Sequence, residues 1–189
     1  MRIIAGKFRS RQLKSLKGLA LRPTSDMLRE TLFNILGPRV VSSRFLDLFA
    51  GTGAVGIEAI SRGALSAVFV ENHSAAVRLI RENLASLEIK AEARMIASSV
   101  NPALEKLQKE QAAVFDFIFL DPPYANEKDY EATLRSLENS SLIADSTIVI
   151  AEHHKSFELP APLGQFDRVR ILHQGDAALS FYRPSSGKK

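Results

Sequence analysis

From Arg44 to Ala151 the chain alternates short apolar runs with stretches whose apolar residues recur every three or four positions. Runs of the first kind suit buried parallel strands and those of the second suit amphipathic helices. Their alternation predicts a parallel sheet with crossover helices. Strands are expected at 45–49, 67–70, 93–96, 115–120 and 147–151, and helices over 53–62, 74–87, 102–111 and 127–139, with Gly63 closing the first helix and Ser74 capping the second. Ahead of them Met27, Leu28, Leu32, Ile35 and Leu36 fall at helical spacing, between a Thr24 or Ser25 cap and the stop Gly37-Pro38. After Ala151 the rhythm changes. Pro160 and Pro162 preclude a long helix, and two strands at 167–173 and 178–182 are joined through Gln174-Gly175-Asp176. The expected class is α/β, a mostly parallel seven-stranded sheet with an antiparallel C-terminal strand and helices on both faces. Residues 2–15 read as a short hairpin around 6–10, carrying Ile3, Phe8 and Leu13.

At 189 residues and 46% apolar the chain can bury one full core. The expected layout is a basic N-terminal extension over 1–23, one domain over 24–183 and a disordered tail over 184–189. With no cysteine, disulfides, thiolate zinc sites and thiol nucleophiles are excluded. The start of the chain lacks a signal-peptide core and no apolar stretch is long enough to cross a bilayer, so a cytoplasmic protein with no membrane partner is expected. The net charge of +4 is unevenly spread: Arg2, Lys7, Arg9, Arg11, Lys14, Lys17 and Arg22 all precede Asp26, with no acid among them. Such a cluster is either a footprint for nucleic-acid phosphates or a solvated arm.

The candidate chemistry lies at strand ends. Asp121-Pro122-Pro123-Tyr124 follows the fourth apolar run. The prolines donate no N–H and hold φ near −65°, so a carboxylate, free carbonyls and a ring are presented together. Such a ledge can hold a planar base by its exocyclic amine, with Tyr124 stacked on the base. Asp-Pro-Pro also occurs as an ordinary strand-ending turn. After the first strand, Gly51, Gly53 and Gly56 match G-x-G-x-x-G, and Glu71 ends the next strand where a ribose-binding acid is expected. A nicotinamide enzyme and a methyltransferase both use that pattern. Asp47, just upstream, separates them: it would repel a pyrophosphate and attract the ammonium and sulfonium of S-adenosylmethionine.

With these residues in view, Asp47 to Gly53 and the Asp-Pro-Pro-Tyr ledge resemble two motifs of the class I, Rossmann-like S-adenosylmethionine-dependent methyltransferases. More narrowly, Arg2-Ile3-Ile4-Ala5-Gly6-Lys7-Phe8-Arg9, Arg22-Pro23-Thr24, 29–36 and Gly175-Asp176 through Tyr182 are similar to the RsmD-like bacterial small-subunit ribosomal RNA guanine-N2 methyltransferases. The resemblance implies that Asp47, Phe49, Gly51 and Gly53 line the cofactor, that Glu71 holds its ribose, and that Arg22, Pro23 and Thr24 lie over it. Ser99 is the candidate for the adenine contact, in a region with no acid. Asp121, Pro122, Pro123 and Tyr124 would be catalytic, and Arg2, Lys7, Arg9, Arg11, Lys14 and Lys17 would contact RNA. The implied partner is ribosomal RNA within a small subunit or its assembly intermediate, met by a monomer that uses no metal.

Three rivals remain at this point: an adenine or cytosine amino-methyltransferase, a nicotinamide-dependent oxidoreductase, and a non-catalytic RNA-binding protein. His153-His154 invites a metal reading, but neighbours on a strand point to opposite faces and no third ligand stands nearby. Glu152 ends the fifth strand at the active edge, as either a pocket-lining acid or, the reading preferred, an exposed strand-end acid, and Phe33 and Phe181 read as core. No G-x-S-x-G or P-loop is present.

Overall fold

In a computed structural model, which describes residues 1–15, 24–123, 128–138 and 140–185, the alternating pattern becomes a strand–helix succession. The chain divides into two units, Met1–Ser99 and Val100–Lys189. The first holds α1 (Asp26–Leu36) with a 3-10 turn after it (Gly37–Val40), β1 (Arg44–Leu48), α2 (Ala54–Ser61), β2 (Ser66–Glu71), α3 (Ser74–Ser86) and β3 (Ala93–Ala97). Its strands are parallel, with β2 between β3 and β1, Asp47 beside Phe69 and Glu71 beside Ala97. The second holds α4 (Val100–Lys109), β4 (Phe117–Leu120), α5 (Lys128–Leu137), β5 (Ile148–His154), β6 (Phe166–Gln174) and β7 (Ala177–Pro184). There β4 and β5 are parallel, while β7 runs antiparallel to both β5 and β6. The class is the expected one, a mostly parallel seven-stranded sheet with one antiparallel C-terminal strand and helices around it.

Every residue of α2 is buried, including Glu58, as suits a helix apolar all round. Strand β4 is buried along its whole length, and so are Phe33 and Phe181, which are core residues as expected. In α1 the Ser25 side chain accepts from Leu28 N–H, which settles the cap. The buried face departs from the expected one. Met27 is 64% exposed, and Arg29 and Phe33 join Leu28, Leu32 and Leu36 inside. Ser74 is not a cap: the N-cap of α3 is His73, with no side-chain cap bond. Strand β5 runs on to His154, so Glu152 is buried rather than exposed. Its carbonyl accepts from the buried Tyr130 hydroxyl at 2.7 Å. His153 is buried beside it. Its Nδ1 stands 3.0 Å from the His154 carbonyl and its Nε2 2.9 Å from Ser180 Oγ, so Nδ1 carries the proton and Nε2 accepts from the hydroxyl.

Residues 2–15 fold back as the expected short hairpin: Arg2 and Gln12 form an antiparallel bridge, flanked by Ile3 N–H donating to the Arg11 carbonyl at 3.0 Å, Leu13 N–H to the Met1 carbonyl at 3.1 Å and Ser10 N–H to the Ile3 carbonyl at 2.9 Å. Four other donors of the segment go to α2 rather than across the hairpin. Ile4 and Ala5 N–H donate to the Glu58 carboxylate at 2.8 and 3.0 Å, Lys7 N–H donates to the Ser61 carbonyl and Phe8 N–H to Ser61 Oγ. Gly6 sits at φ +82° against the end of this helix, where a Cβ would overlap the Ser61 carbonyl. The basic segment is thus fastened to α2 through its backbone, while Ile3 and Leu13 are buried.

Candidate active site

The turn after β1 is strained and tightly held. Phe49 adopts φ +60°, a left-handed value that is costly for an aromatic residue, and Gly51 and Gly53 follow at +54° and +76°. Gly56 lies inside α2, and a Cβ there would overlap the Phe69 ring, so this glycine serves close helix–strand packing. The same approach brings Gly56 N–H to Asp47 Oδ2 at 2.9 Å. Gly56 is the third residue of α2, and its N–H is one of the donors a helix start leaves unpaired. Asp47 is only 2% exposed. Burial pushes its carboxyl up to about 8, against the Gly56 bond that lowers it, and the charge of Glu71 adds to the rise.

Glu71 holds the other side of the loop. Its Oε2 accepts from Gly51 N–H at 2.9 Å, and its Oε1 accepts from Asn72 and His73 N–H at 2.9 and 2.8 Å. A carboxylate offers about four acceptor sites. Among the described residues three are filled by backbone N–H groups. The structure thus brings Asp47, Gly51, Gly56 and Glu71 together through hydrogen bonds, with Phe49 and Gly53 in the same turn. Ser99 lies exposed after β3, next to the half-buried Ser98, whose N–H donates to the Glu71 carbonyl. Thr24 is buried and its carbonyl accepts from Arg29 Nη1. Arg22, Pro23, Lys17 and Tyr124 lie outside the described residues, as do 186–189 of the expected tail.

In the second unit the ledge directly follows the buried β4: Asp121 is half-buried, Pro122 buried and Pro123 exposed. Among the described residues no group of three or more His, Cys, Asp or Glu side chains is placed to hold a metal ion.

The cations of the N-terminal segment differ in their surroundings. Arg11 donates to the Ser86 carbonyl at 3.0 Å, and Lys14 pairs with Glu82 at 2.9 Å, a bond that holds the Glu82 carboxyl below its ordinary range. Arg2 stands 3.9 Å from Asp26, and Lys7 lies over the Phe8 ring. Arg9 is exposed.

Three buried polar residues were given no role by the sequence motifs. Arg29 is fully buried and donates to the Arg2 and Thr24 carbonyls and to Asp26, with its Nε 3.7 Å from Glu58. Glu58 also accepts from Arg62 at 2.7 Å. Asn83, fully buried on α3, bonds both the backbone of Lys14 and the Thr52 carbonyl. Glu58 and Asn83 are polar residues at positions where helical spacing calls for apolar ones, a signal that could have found them, whereas Arg29 lies off the apolar face expected for α1.

The family model described as Conserved hypothetical protein 95 matches residues 1–183. The chain belongs to this family. A relative from Escherichia coli (strain K12), named ribosomal RNA small subunit methyltransferase D, is 34% identical over 183 residues, covering 97% of this chain and 89% of the relative. YlbH of Bacillus subtilis (strain 168) is 35% identical over the same length, 97% of this chain and 98% of the relative. Among solved structures, yhhF from Escherichia coli matches with a TM-score of 0.84 at 34% identity, with 99% of each chain covered.

Proposed function

We propose that this chain transfers the methyl group of S-adenosylmethionine to the exocyclic N2 amine of a guanine in small-subunit ribosomal RNA. The observation that carries the reading is a glycine loop clamped between Asp47 and Glu71, in a chain 34% identical along nearly its whole length to a ribosomal RNA small subunit methyltransferase D. The loop fits the donor. The space a Cβ would take at Gly51 is open apart from the Phe49 carbonyl at 3.9 Å, so a ligand can approach the backbone there. Asp47 lies beneath it as an acid whose ionisation a cation would favour. A nicotinamide dinucleotide would instead need free donors at the start of α2, where Asp47 already holds Gly56 N–H.

When bound, S-adenosylmethionine supplies an electrophilic methyl on a sulfonium. The chain's own groups orient the acceptor. Asp121 and the Pro122 carbonyl accept the N–H bonds of the guanine amine, aim its lone pair, and stabilise the positive charge that develops on nitrogen. Holding both reactants in line supplies on the order of 7–11 kcal/mol of the barrier. Tyr124 stacks on the base. Phe49, Gly51, Gly53 and Glu71 hold the cofactor, with Ser99 at its adenine and Arg22, Pro23 and Thr24 over it. Both the loop and the ledge follow parallel strands at their carboxyl ends, where ligands bind in folds of this class. Arg2, Lys7, Arg9, Arg11, Lys14 and Lys17, on the extension 1–23, bind phosphates. The enzyme works in the cytoplasm as a monomer, on a small subunit or its assembly intermediate, without a metal.

The test is Asp121→Ala in single-turnover methylation of small-subunit ribosomal RNA, with cofactor titration on the same preparation. Methyl transfer should fall by about 10²-fold or more while cofactor affinity holds. Equal losses would make Asp121 a cofactor ligand, and a methyl group mapped to any atom but guanine N2 would overturn the assigned target.

A further inference from the structure

We propose that Asn83 is a positioning residue that ties the basic N-terminal segment to the cofactor loop, so that RNA and cofactor each tighten the binding of the other. The proposal rests on the methyltransferase reading above, which places RNA on the one segment and the cofactor on the other.

Asn83 occupies a position on the inner face of α3, among Leu79, Ile80, Leu84 and Leu87, and it is fully buried. An amide there is costly unless its hydrogen bonds are made. They are made to two different segments. Oδ1 accepts from Lys14 N–H at 2.9 Å, and Nδ2 donates to the Lys14 carbonyl at 3.2 Å and to the Thr52 carbonyl at 3.1 Å. The amide orientation follows from its partners, since only the amino group can face two carbonyl oxygens. Thr52 stands between Gly51 and Gly53. One buried carboxamide therefore grips the N-terminal segment by its backbone at two points and the glycine loop at a third.

A second contact runs the same way: Met1 Sδ lies 3.9 Å from Thr52 Oγ1, and the Met1 carbonyl accepts from Leu13 N–H. If the loop shifts, Nδ2 must give up a bond or Lys14 must follow it, and if Lys14 is displaced, buried polar groups of Asn83 are left bare. Each ligand thus favours the arrangement the other needs. By linkage the effect must be equal in both directions.

The charge of Lys14 is separate from this tether. Its ammonium goes to Glu82, while its bonds to Asn83 are main-chain. Substitutions can therefore remove one and spare the other.

The experiment measures the dissociation constant of a small-subunit ribosomal RNA transcript with and without saturating S-adenosylhomocysteine. In the wild type the product should tighten RNA about 5-fold or more, the lower end of usual couplings. Asn83→Leu, close in volume and without polar atoms, and Asn83→Asp, without the amino donor, should bring this ratio to about one while both ligands still bind. Lys14→Ser should weaken RNA binding and keep the ratio. A wild-type ratio of one, or an unchanged ratio in the Asn83 variants, overturns the proposal. A measurement on the wild type alone serves if the variants do not fold: S-adenosylhomocysteine should slow hydrogen exchange at the Lys14 amide, and unchanged exchange overturns the tether. A wild type that binds both ligands without coupling rejects this inference only. One that binds neither rejects the methyltransferase reading itself.

Discussion

Asp47→Asn separates two things the wild-type carboxyl does at once. The asparagine Oδ1 can still accept from Gly56 N–H, so the helix start keeps its partner, but the ionisable group is gone. In the folded chain burial raises the Asp47 carboxyl from 3.8 to about 8. Between those values the folded protein keeps a proton that the unfolded chain has released. Stability from this group is therefore complete below the unfolded value, falls as pH rises, and is lost by about pH 8. The slope is about 1.4 kcal/mol per pH unit. The stability of Asp47→Asn relative to wild type should thus climb by roughly 2–3 kcal/mol between pH 5 and pH 7, all other groups being common to both proteins. Urea unfolding of the two proteins at pH 5, 6 and 7 measures it. Parallel curves would mean that Asp47 is ionised throughout. The same proton must leave when a cationic ligand settles above the loop, so cofactor affinity in the wild type should rise by up to about tenfold per unit below pH 8 and stay flat in Asp47→Asn. Calorimetry in buffers of different ionisation enthalpy counts the released protons. A count of zero would show that Asp47 does not answer the cofactor's charge.

Gly6→Ala should destabilise the protein by more than the roughly 1–2 kcal/mol of a left-handed residue, because its Cβ would also overlap the Ser61 carbonyl; thermal unfolding and RNA affinity should fall together, and an unchanged melting temperature would mean that the segment is not seated on α2. Lys7→Ser with Arg9→Ser should lower the log–log salt slope of RNA binding by about 0.7–0.9 for each phosphate no longer neutralised, without changing cofactor affinity; an unchanged slope would return both cations to a solvated surface.

The strands were legible because their apolar runs are short and bounded, and each expected strand matches an observed one to within two residues at all but one end; β5 runs on three residues to His154. The N-terminal segment was legible in charge and as a hairpin, but not in how it is seated. Its Ile4, Ala5 and Phe8 donors go to Glu58 and Ser61, residues more than fifty positions away that no local pattern can pair with it. The same limit applies to the site. Asp47 and Glu71 were found by spacing from the glycines, and both were expected to face a ligand. In the free chain both are turned to backbone N–H groups of the loop and its neighbours, so they shape the loop before they meet anything else. Sequence spacing identifies which acids belong to such a loop; how many of their acceptor sites are already filled depends on contacts across the fold. For Glu71, three backbone donors are already in place among the described residues. Glu71 thus fixes the Gly51 turn and the start of α3 from one side, while Asn83 holds the Thr52 carbonyl of the same loop from the other.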